Sequence, residues 1–355
     1  MITISDTFST KTKSYPLETI GNPEEILFFD IETTGFLGDR CSIYIIGCVY
    51  IKNNQWHYIQ WFADSLEAEK DVLHSFFKLM INYKYIIHFN GDGFDIPFVN
   101  KRLKHYSLSY NFNNIKSIDI YKQVRPLKKL LGLLNLKQKS IETFLNINRQ
   151  DTMSGGDLIN VYYDYLETKD DRAKYFLLLH NSDDLKGMPE ILSILSYHDL
   201  FNADYIYEHH ELSNKQYLII TGASSVYIPS QIDNIFSFGS LSFYEYNFKL
   251  TLSLYEGECK YFYNNYKDYY YLPNEDRAIH KSVAEFLDKS HRKKATAKTC
   301  YMKYNGLFFP EKTLIYAPAL KRDYTEKFFY VPFKEDIFKD KEMFSLFIRD
   351  MVRLI

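Results

Sequence analysis

Asp30 and Glu32 stand two residues apart where the apolar run Ile26 to Ile31 ends, in the segment Phe29-Asp30-Ile31-Glu32-Thr33-Thr34-Gly35. Residues i and i+2 of a strand share a face, so the two carboxylates lie side by side at the strand's end. Acids held together beside a core repel one another, and a cation between them removes that cost. A lone Asp-x-Glu at a strand end is also a common solvated pair. The apolar run before this one and the Thr-Thr-Gly turn after it set it apart. A second group, Asn90-Gly91-Asp92-Gly93-Phe94-Asp95, follows the apolar run Tyr85 to Phe89. Here a glycine turn leads into a helix whose first turn carries Asp95, either as a cap or as a carboxylate brought toward the strand ends. The third group is His180-Asn181-Ser182-Asp183-Asp184, inside a helical pattern from Lys174 to Tyr197. His180 and Asp184, at i and i+4, share one helix face, whereas Asp183 is turned roughly 100° away from Asp184. A His–Asp pair at this spacing is also a frequent surface pair. The i, i+4 relation favours Asp184 over Asp183.

The elements that must position these groups follow from the apolar patterning. Residues 1 to 25 are polar, without sustained periodicity, and read as an arm laid on the surface. Ile26 to Ile31 is a buried strand. Ser42 to Ile51 and Gln55 to Phe62, separated by Lys52-Asn53-Asn54, form a hairpin. Glu67 to Ile81 carries Val72, Leu73, Phe76, Phe77 and Met80 at helical spacing, Tyr85 to Phe89 is a second buried strand, and Phe94 to His105 is the following helix. Ile115 to Ile120 is a further strand, after which helical patterns run from Tyr121 to about Tyr197. Strands that first form a hairpin and then alternate with helices imply an α/β fold with a mixed sheet flanked by helices. Near residue 200 the texture changes to a β-rich α+β region. Apolar and polar residues alternate between Tyr217 and Leu272, with turn signals at Glu256-Gly257-Glu258 and Asn264-Asn265. A helix over Asp276 to Ser290, a strand from Ala295 to Tyr304 ending at Asn305-Gly306, and a closing helix from Glu335 to Leu354 complete the reading. The expected organisation is an arm at 1–25, a first domain at 26–200 and a β-rich domain at 201–355.

Composition narrows the class. The chain has 355 residues, 46% hydrophobic and 25% charged, so it is long enough for two domains, each with its own core. No apolar run reaches the length of a spanning helix, and no basic start followed by an apolar stretch marks a secretory leader. The cysteines Cys41, Cys48, Cys259 and Cys300 contain no CxxC pair, which argues against a zinc knuckle and a disulfide framework. A cytoplasmic protein with reduced thiols and no membrane partner is expected. With a net charge of −2, contact with nucleic acid must come from local basic patches.

Taken in order, FDIETTG at 29 to 35, NGDGFD at 90 to 95 and HNSDD at 180 to 184 resemble the DEDD superfamily of 3′–5′ exonucleases on the ribonuclease-H-like fold, and in particular its YprB-type branch. The stretch Ser140 to Leu166 looks like the segment that precedes the last motif in that branch. The resemblance covers about residues 24 to 200. YprB-type sequences often have tyrosine where this chain has His180, so the site looks like the histidine subtype. The resemblance implies that Asp30, Glu32, Asp95 and Asp184 hold two Mg²⁺ or Mn²⁺ ions, Asp30 bridging both, Glu32 and Asp184 completing the first, and Asp95 reaching the second. His180 would deprotonate the attacking water, since an imidazole titrates near about 6.5. The donor chemistry agrees: an all-carboxylate set suits hard cations, and no thiolate is present to select zinc. Expected partners are DNA or RNA, as single-stranded 3′ ends. The rival is a non-catalytic nucleic-acid-binding or scaffold protein that keeps the fold, and a structure-selective endonuclease is a second one.

Several features outside the motifs have two readings. Lys122 to Lys139 holds six basic residues and no acid; it either lines a substrate path or exposes the charges of a helical hairpin that buries Leu127, Leu130, Leu131, Leu133 and Leu134. Lys289 to Lys303, with Arg292, Lys293, Lys294 and Lys298, is similar. The tyrosines between Tyr261 and Tyr271 suit base stacking, although strand packing explains them as well. His209-His210 lacks further ligands at metal spacing and reads as surface.

Overall fold

The computed structural model describes residues 1–10, 15–148, 153 and 155–355. Residues 11–14 of the expected arm, and 149–152 and 154 within the stretch Ser140 to Leu166, lie outside the described residues. The chain divides into two compact units, Met1–His198 and Asp199–Ile355.

In the first unit the elements are β1 (Ile2–Phe8), β2 (Ile26–Thr33), β3 (Ile43–Lys52), β4 (Gln55–Phe62), α1 (Glu69–Met80), β5 (Tyr85–His88), α2 (Asp95–His105), β6 (Lys116–Asp119), α3 (Ile120–Val124), α4 (Gln138–Phe144), α5 (Gly155–Thr168), α6 (Asp171–Ile191) and the short α7 (Ser196–Asp199). Six strands make one mixed sheet in the order β1-β4-β3-β2-β5-β6. The pairs β2–β5 and β5–β6 are parallel, and the other three are antiparallel. Ile26 to Phe29 of β2 are all buried, as a central strand covered by helices on both faces requires. Leu27, Phe29 and Ile31 pack with Val72, Phe76 and Phe77 of α1 and with Phe98 and Val99 of α2. The opposite face gathers Tyr44, Ile45 and Phe62 with Leu158, Tyr162 and Leu177 of α5 and α6, and the rings of Tyr44 and Tyr162 stack at 4.4 Å. The β3–β4 hairpin turns on Asn53 and Asn54, both in the left-handed region at φ 52° and 58°, which a two-residue hairpin loop demands and asparagine tolerates.

The N-terminal segment corrects the expected arm. Residues 2 to 8 pair with β4 as the sheet's edge strand, Ile2 opposite Phe62 and Phe8 opposite Trp56. Only Ile2 and Ile4 of this strand pack against the second core, so the alternation is too short to stand out in a polar stretch.

Helix α2, which carries Asp95, is tied down by a buried ion pair. Arg102 donates from Nε and Nη2 to the two oxygens of Glu69 at 2.7 Å each, and Glu69 also accepts from the Ile43 amide and the Tyr106 hydroxyl. Removing one partner leaves a buried charge unpaired, so Arg102→Leu is expected to lower the unfolding free energy by about 3–5 kcal/mol. Urea unfolding of the variant checks this; a midpoint equal to wild type contradicts it.

The second unit holds β7 (Tyr205–Ser213), β8 (Tyr217–Phe236), β9 (Gly239–Ser253), β10 (Tyr255–Phe262), β11 (Tyr269–Leu272), β12 (Arg277–His280), α8 (Lys281–Ala284), β13 (Lys293–Lys294), β14 (Tyr301–Glu311), β15 (Phe329–Pro332) and α9 (Lys341–Val352). They form three three-stranded sheets, β7-β8-β9, β10-β14-β15 and β12-β11-β13. The β-rich expectation holds, and several details differ. Asp276 to Ser290 is not one helix but a strand, a four-residue helix and a 3₁₀ turn, and Tyr271 and Tyr301 both donate to Asp276 at its start. The strand expected to end at Asn305-Gly306 instead starts at Tyr301 and runs through that pair to Glu311, because β10 pairs along it past Gly306. Glu256-Gly257-Glu258 lies within β10 rather than in a turn. His210 is not a surface residue: its ring is held between the Tyr207 hydroxyl at 2.7 Å and Glu335 at 3.1 Å. Tyr263, Tyr269 and Tyr271 pack against Ala278, Ala295 and Cys300, which favours packing for these members of the tyrosine run.

Candidate active site

The last buried turn of the β2 strand sets the site. Its ladder with β3 shifts register between Glu32 and Thr33, and the strand is closed by the Thr33 hydroxyl on the Gly35 carbonyl and by the Ser42 amide on the Thr34 hydroxyl. Asp30 and Glu32 therefore share the face covered by α6, as their spacing requires. Asp95 arrives from the neighbouring strand. The chain leaves β5 through Asn90, at φ 63°, and passes Gly91, where a Cβ would stand 2.5 Å from the His88 ring. Asp119 at the end of β6 fastens this turn by accepting from the amides of Asn90 and Asp92. Asp95 is the first residue of α2, and its Oδ1 accepts from the Ile31 amide at 3.3 Å, which draws the carboxylate to the β2 strand. The capping reading thus gives way to a contact across the sheet's end.

From α6 come His180 and Asp184. The imidazole Nε2 lies 3.7 Å from Glu32 Oε1 and 3.6 Å from Asp184 Oδ2. The Tyr44 hydroxyl donates to Glu32 at 3.4 Å, and Gln138 Nε2 approaches Asp184 Oδ1 at 3.4 Å. The neighbouring Asp183 charge supports the Lys186 ammonium against burial. All five residues singled out in the sequence, Asp30, Glu32, Asp95, His180 and Asp184, are thereby brought together.

Crowding is visible in the proton affinities. Burial, then the charges of Asp95, Glu32 and Asp184, push the Asp30 carboxyl well above the usual range, against a hydrogen bond from Asn181. Burial also pushes Asp95 up to about 7, against the amide of Ile31. Burial and the adjacent Glu32 raise the Tyr44 phenol, so it stays a donor. Carboxylates this close are relieved either by protons or by a cation. The donors present are carboxylate oxygens and one imidazole. Cys48 lies opposite Phe29 in the register and packs into the other core, where burial pushes its thiol up. The set fits a hard divalent cation such as Mg²⁺ or Mn²⁺.

A second cluster, His88, Asp92 and Asp119, has metal-like spacing and different chemistry. His88 Nδ1 accepts from the Gly91 amide at 2.9 Å, which assigns the ring proton to Nε2, hydrogen-bonded to Ser117 at 2.7 Å. The Lys122 ammonium already sits 2.6 Å from Asp92. With both ring nitrogens engaged and a cation in place, the cluster holds the turn before Asp95.

Sequence reasoning missed Asn181, Gln60, Gly47, Tyr44 and Gln138. Asn181 was in view within the third motif. A glycine in the middle of the buried run SIYIIGCVYI was the one other signal, since an interior strand glycine marks close approach of another group. In the basic stretch, Leu127, Leu130 and Leu131 are buried while Arg125, Lys128 and Lys129 are exposed, but Leu134 is 93% exposed and no helical hairpin forms.

Residues 27–196 match the RNase_H_2 family model of the RNase H superfamily. That span contains every residue of the site, and with the strand order and directions it makes the first unit a ribonuclease-H-like domain, the expected fold. No curated protein matches the chain. Among solved structures, the chain is similar to the family B DNA polymerase from the hyperthermophilic archaeon Pyrobaculum calidifontis at 11% identity and a TM-score of 0.40. That similarity covers 74% of this chain, which spans 40% of the polymerase chain. Among the described residues, no helix is long and apolar enough to cross a membrane.

Proposed function

We propose that this chain is a divalent-metal-dependent 3′–5′ exonuclease of the YprB-type DEDD branch, acting on single-stranded DNA or RNA. The observation that carries the reading is the convergence of Asp95, Glu32 and Asp184 on the half-buried Asp30 carboxylate. Asp30, Glu32, Asp95 and Asp184 would hold the ions. When bound, two divalent cations stabilise charge on the attacking and leaving oxygens of an in-line displacement at phosphorus. His180 is directed between Glu32 and Asp184, where its Nε2 can take a proton from a water entering the site. The Tyr44 hydroxyl fixes one Glu32 oxygen, and the turn fastened by Asp119 fixes Asp95. Phe36, directly after the first motif, is 82% exposed with its ring edge-on to Phe94, and offers a face for a terminal base. Residues 201–355 would contact substrate or recruit a partner, and the proposed setting is cytoplasmic.

The same geometry favours a second role for His180, as a ligand to an ion shared with Glu32 and Asp184. A His180→Gln variant separates the two. As a base, its loss lowers hydrolysis by roughly 10²–10⁴-fold and leaves Mn²⁺ affinity unchanged; as a ligand, its loss lowers both. The activity itself is tested on 5′-labelled single-stranded DNA and RNA with Mn²⁺. A ladder shortening from the 3′ end and abolished by EDTA is expected. Internal cuts would favour an endonuclease, and intact polymer that stays bound would favour a non-catalytic binding protein.

A further inference from the structure

Gln60 and Asn181 lie outside the proposed ion-binding set and are 1% and 0% exposed. Buried amides must place every donor and acceptor, so their orientation carries information. Asp30 of β2 faces Gly47 of β3, and Gly47 faces Gln60 of β4, which makes a row across three strands. The missing side chain at Gly47 is replaced by α6: a Cβ there would stand 2.3 Å from Asn181 Oδ1 and 2.2 Å from Leu185 Cδ1. Glycine thus lets the Asn181 amide bridge over β3, from Gln60 on one side to Asp30 on the other.

The bridge has a fixed polarity. The Leu178 carbonyl can only accept, and it takes a hydrogen from Gln60 Nε2 at 3.0 Å. The same nitrogen gives its second hydrogen to Asn181 Oδ1 at 2.9 Å. With its oxygen committed to Gln60, Asn181 turns Nδ2 to Asp30 and donates to Oδ2 at 2.8 Å. One backbone carbonyl of α6 therefore dictates, through two amides, that Asp30 meets a donor and not an acceptor. Asn181 also sits between His180 and Asp184 in the chain, so seating it on Gly47 seats both of them relative to the β2 strand.

We infer that Asn181, oriented by Gln60, is the positioning residue that fixes the Asp30 carboxylate for the ions, an inference resting on the metal-dependent reading above. It fastens one carboxylate oxygen and sets the rotamer that presents the other. Residues that orient metal ligands typically change metal affinity by about 10–100-fold when removed.

The polarity supplies the test, a Mn²⁺ titration of the full chain followed by electron paramagnetic resonance. Gln60→Glu cannot donate to both Leu178 and Asn181: as a carboxylate it donates to neither, and as the acid to only one of them. The Asn181 amide then reverses to satisfy the introduced carboxylate and turns its oxygen on Asp30. Mn²⁺ affinity is expected to fall about 10–100-fold in Gln60→Glu and in Asn181→Ala. Adding Gln60→Glu to Asn181→Ala is expected to change nothing further, because Gln60 acts only through Asn181. Gln60→Met, which removes the donor without burying a charge, keeps the comparison open if the glutamate variant fails to fold; a smaller loss, of roughly threefold to tenfold, is expected. Near-wild-type affinity in folded Asn181→Ala or Gln60→Met protein overturns the inference, as does a double variant whose losses multiply. A wild-type chain that binds no Mn²⁺ overturns the metal-dependent reading and this inference with it, and the wild-type titration alone identifies that case.

Discussion

Replacement of Asp30 by asparagine is expected to slow phosphodiester hydrolysis by at least roughly a thousandfold. The substitution preserves shape and removes the one charge that faces all three other carboxylates. Cations that stabilise charge at phosphorus are worth several kcal/mol, and about 4 kcal/mol is a thousandfold in rate. The variant's amide oxygen can still accept from Asn181 Nδ2, which turns its NH₂ group toward the ions in place of a carboxylate oxygen, so Mn²⁺ affinity falls together with the rate. Asp183→Asn is the matched control: its charge supports Lys186, and activity within about twofold of wild type is expected. Single-turnover rates on an end-labelled oligonucleotide measure both variants. Activity of Asp30→Asn within tenfold of wild type contradicts the assigned site.

A second large effect is expected on the stability of the protein stripped of metal. Burial holds Asp95 at about 7, against 3.8 for an ordinary aspartate, and the crowded Asp30 moves in the same direction. Between these values the folded chain binds more protons than the unfolded one, so unfolding free energy falls as pH rises from about 4 to about 7 and then levels off. For Asp95 alone the shift corresponds to roughly 4 kcal/mol. Asp95→Asn carries no such penalty. In EDTA at pH 8 the variant is expected to be more stable than wild type, by an amount of this order, and the advantage should vanish near pH 4. Saturating Mn²⁺ should reverse the order, because the wild type then gains binding energy that the variant lacks. Urea midpoints at pH 4 and pH 8, with and without metal, report all of this. Equal pH dependence in the two proteins would contradict the burial of the Asp95 carboxyl.

The three acidic motifs could be read from the sequence because each is local: a strand's two-residue repeat, a turn into a helix, and an i, i+4 pair. The mixed sheet flanked by helices followed from strand and helix periodicities, and its ribonuclease-H-like character only from the resemblance that the three motifs carry. What escaped rests on contacts between distant residues. Gln60 and Asn181 are separated by 121 positions, and Asn181 and Asp30 by 151, so beyond the interior glycine at 47 no local pattern announces the row across the strands. The β1 strand escaped because an edge strand needs little apolar patterning once a partner supplies its hydrogen bonds. The Asp276 to Ser290 segment has a helical spacing of apolar residues, yet Val283 and Phe286 are exposed and the chain at Arg277–His280 pairs with β11 instead. There tertiary pairing overrode a local preference, as it did where β14 ran through Asn305-Gly306.

The central claim is that the carboxylates of Asp30, Glu32, Asp95 and Asp184 hold divalent cations. Anomalous scattering from crystals grown with Mn²⁺ tests it directly. Anomalous peaks are expected among these four carboxylates. Crystals without an anomalous peak at these carboxylates, or with one at His88, Asp92 and Asp119 instead, would contradict the claim.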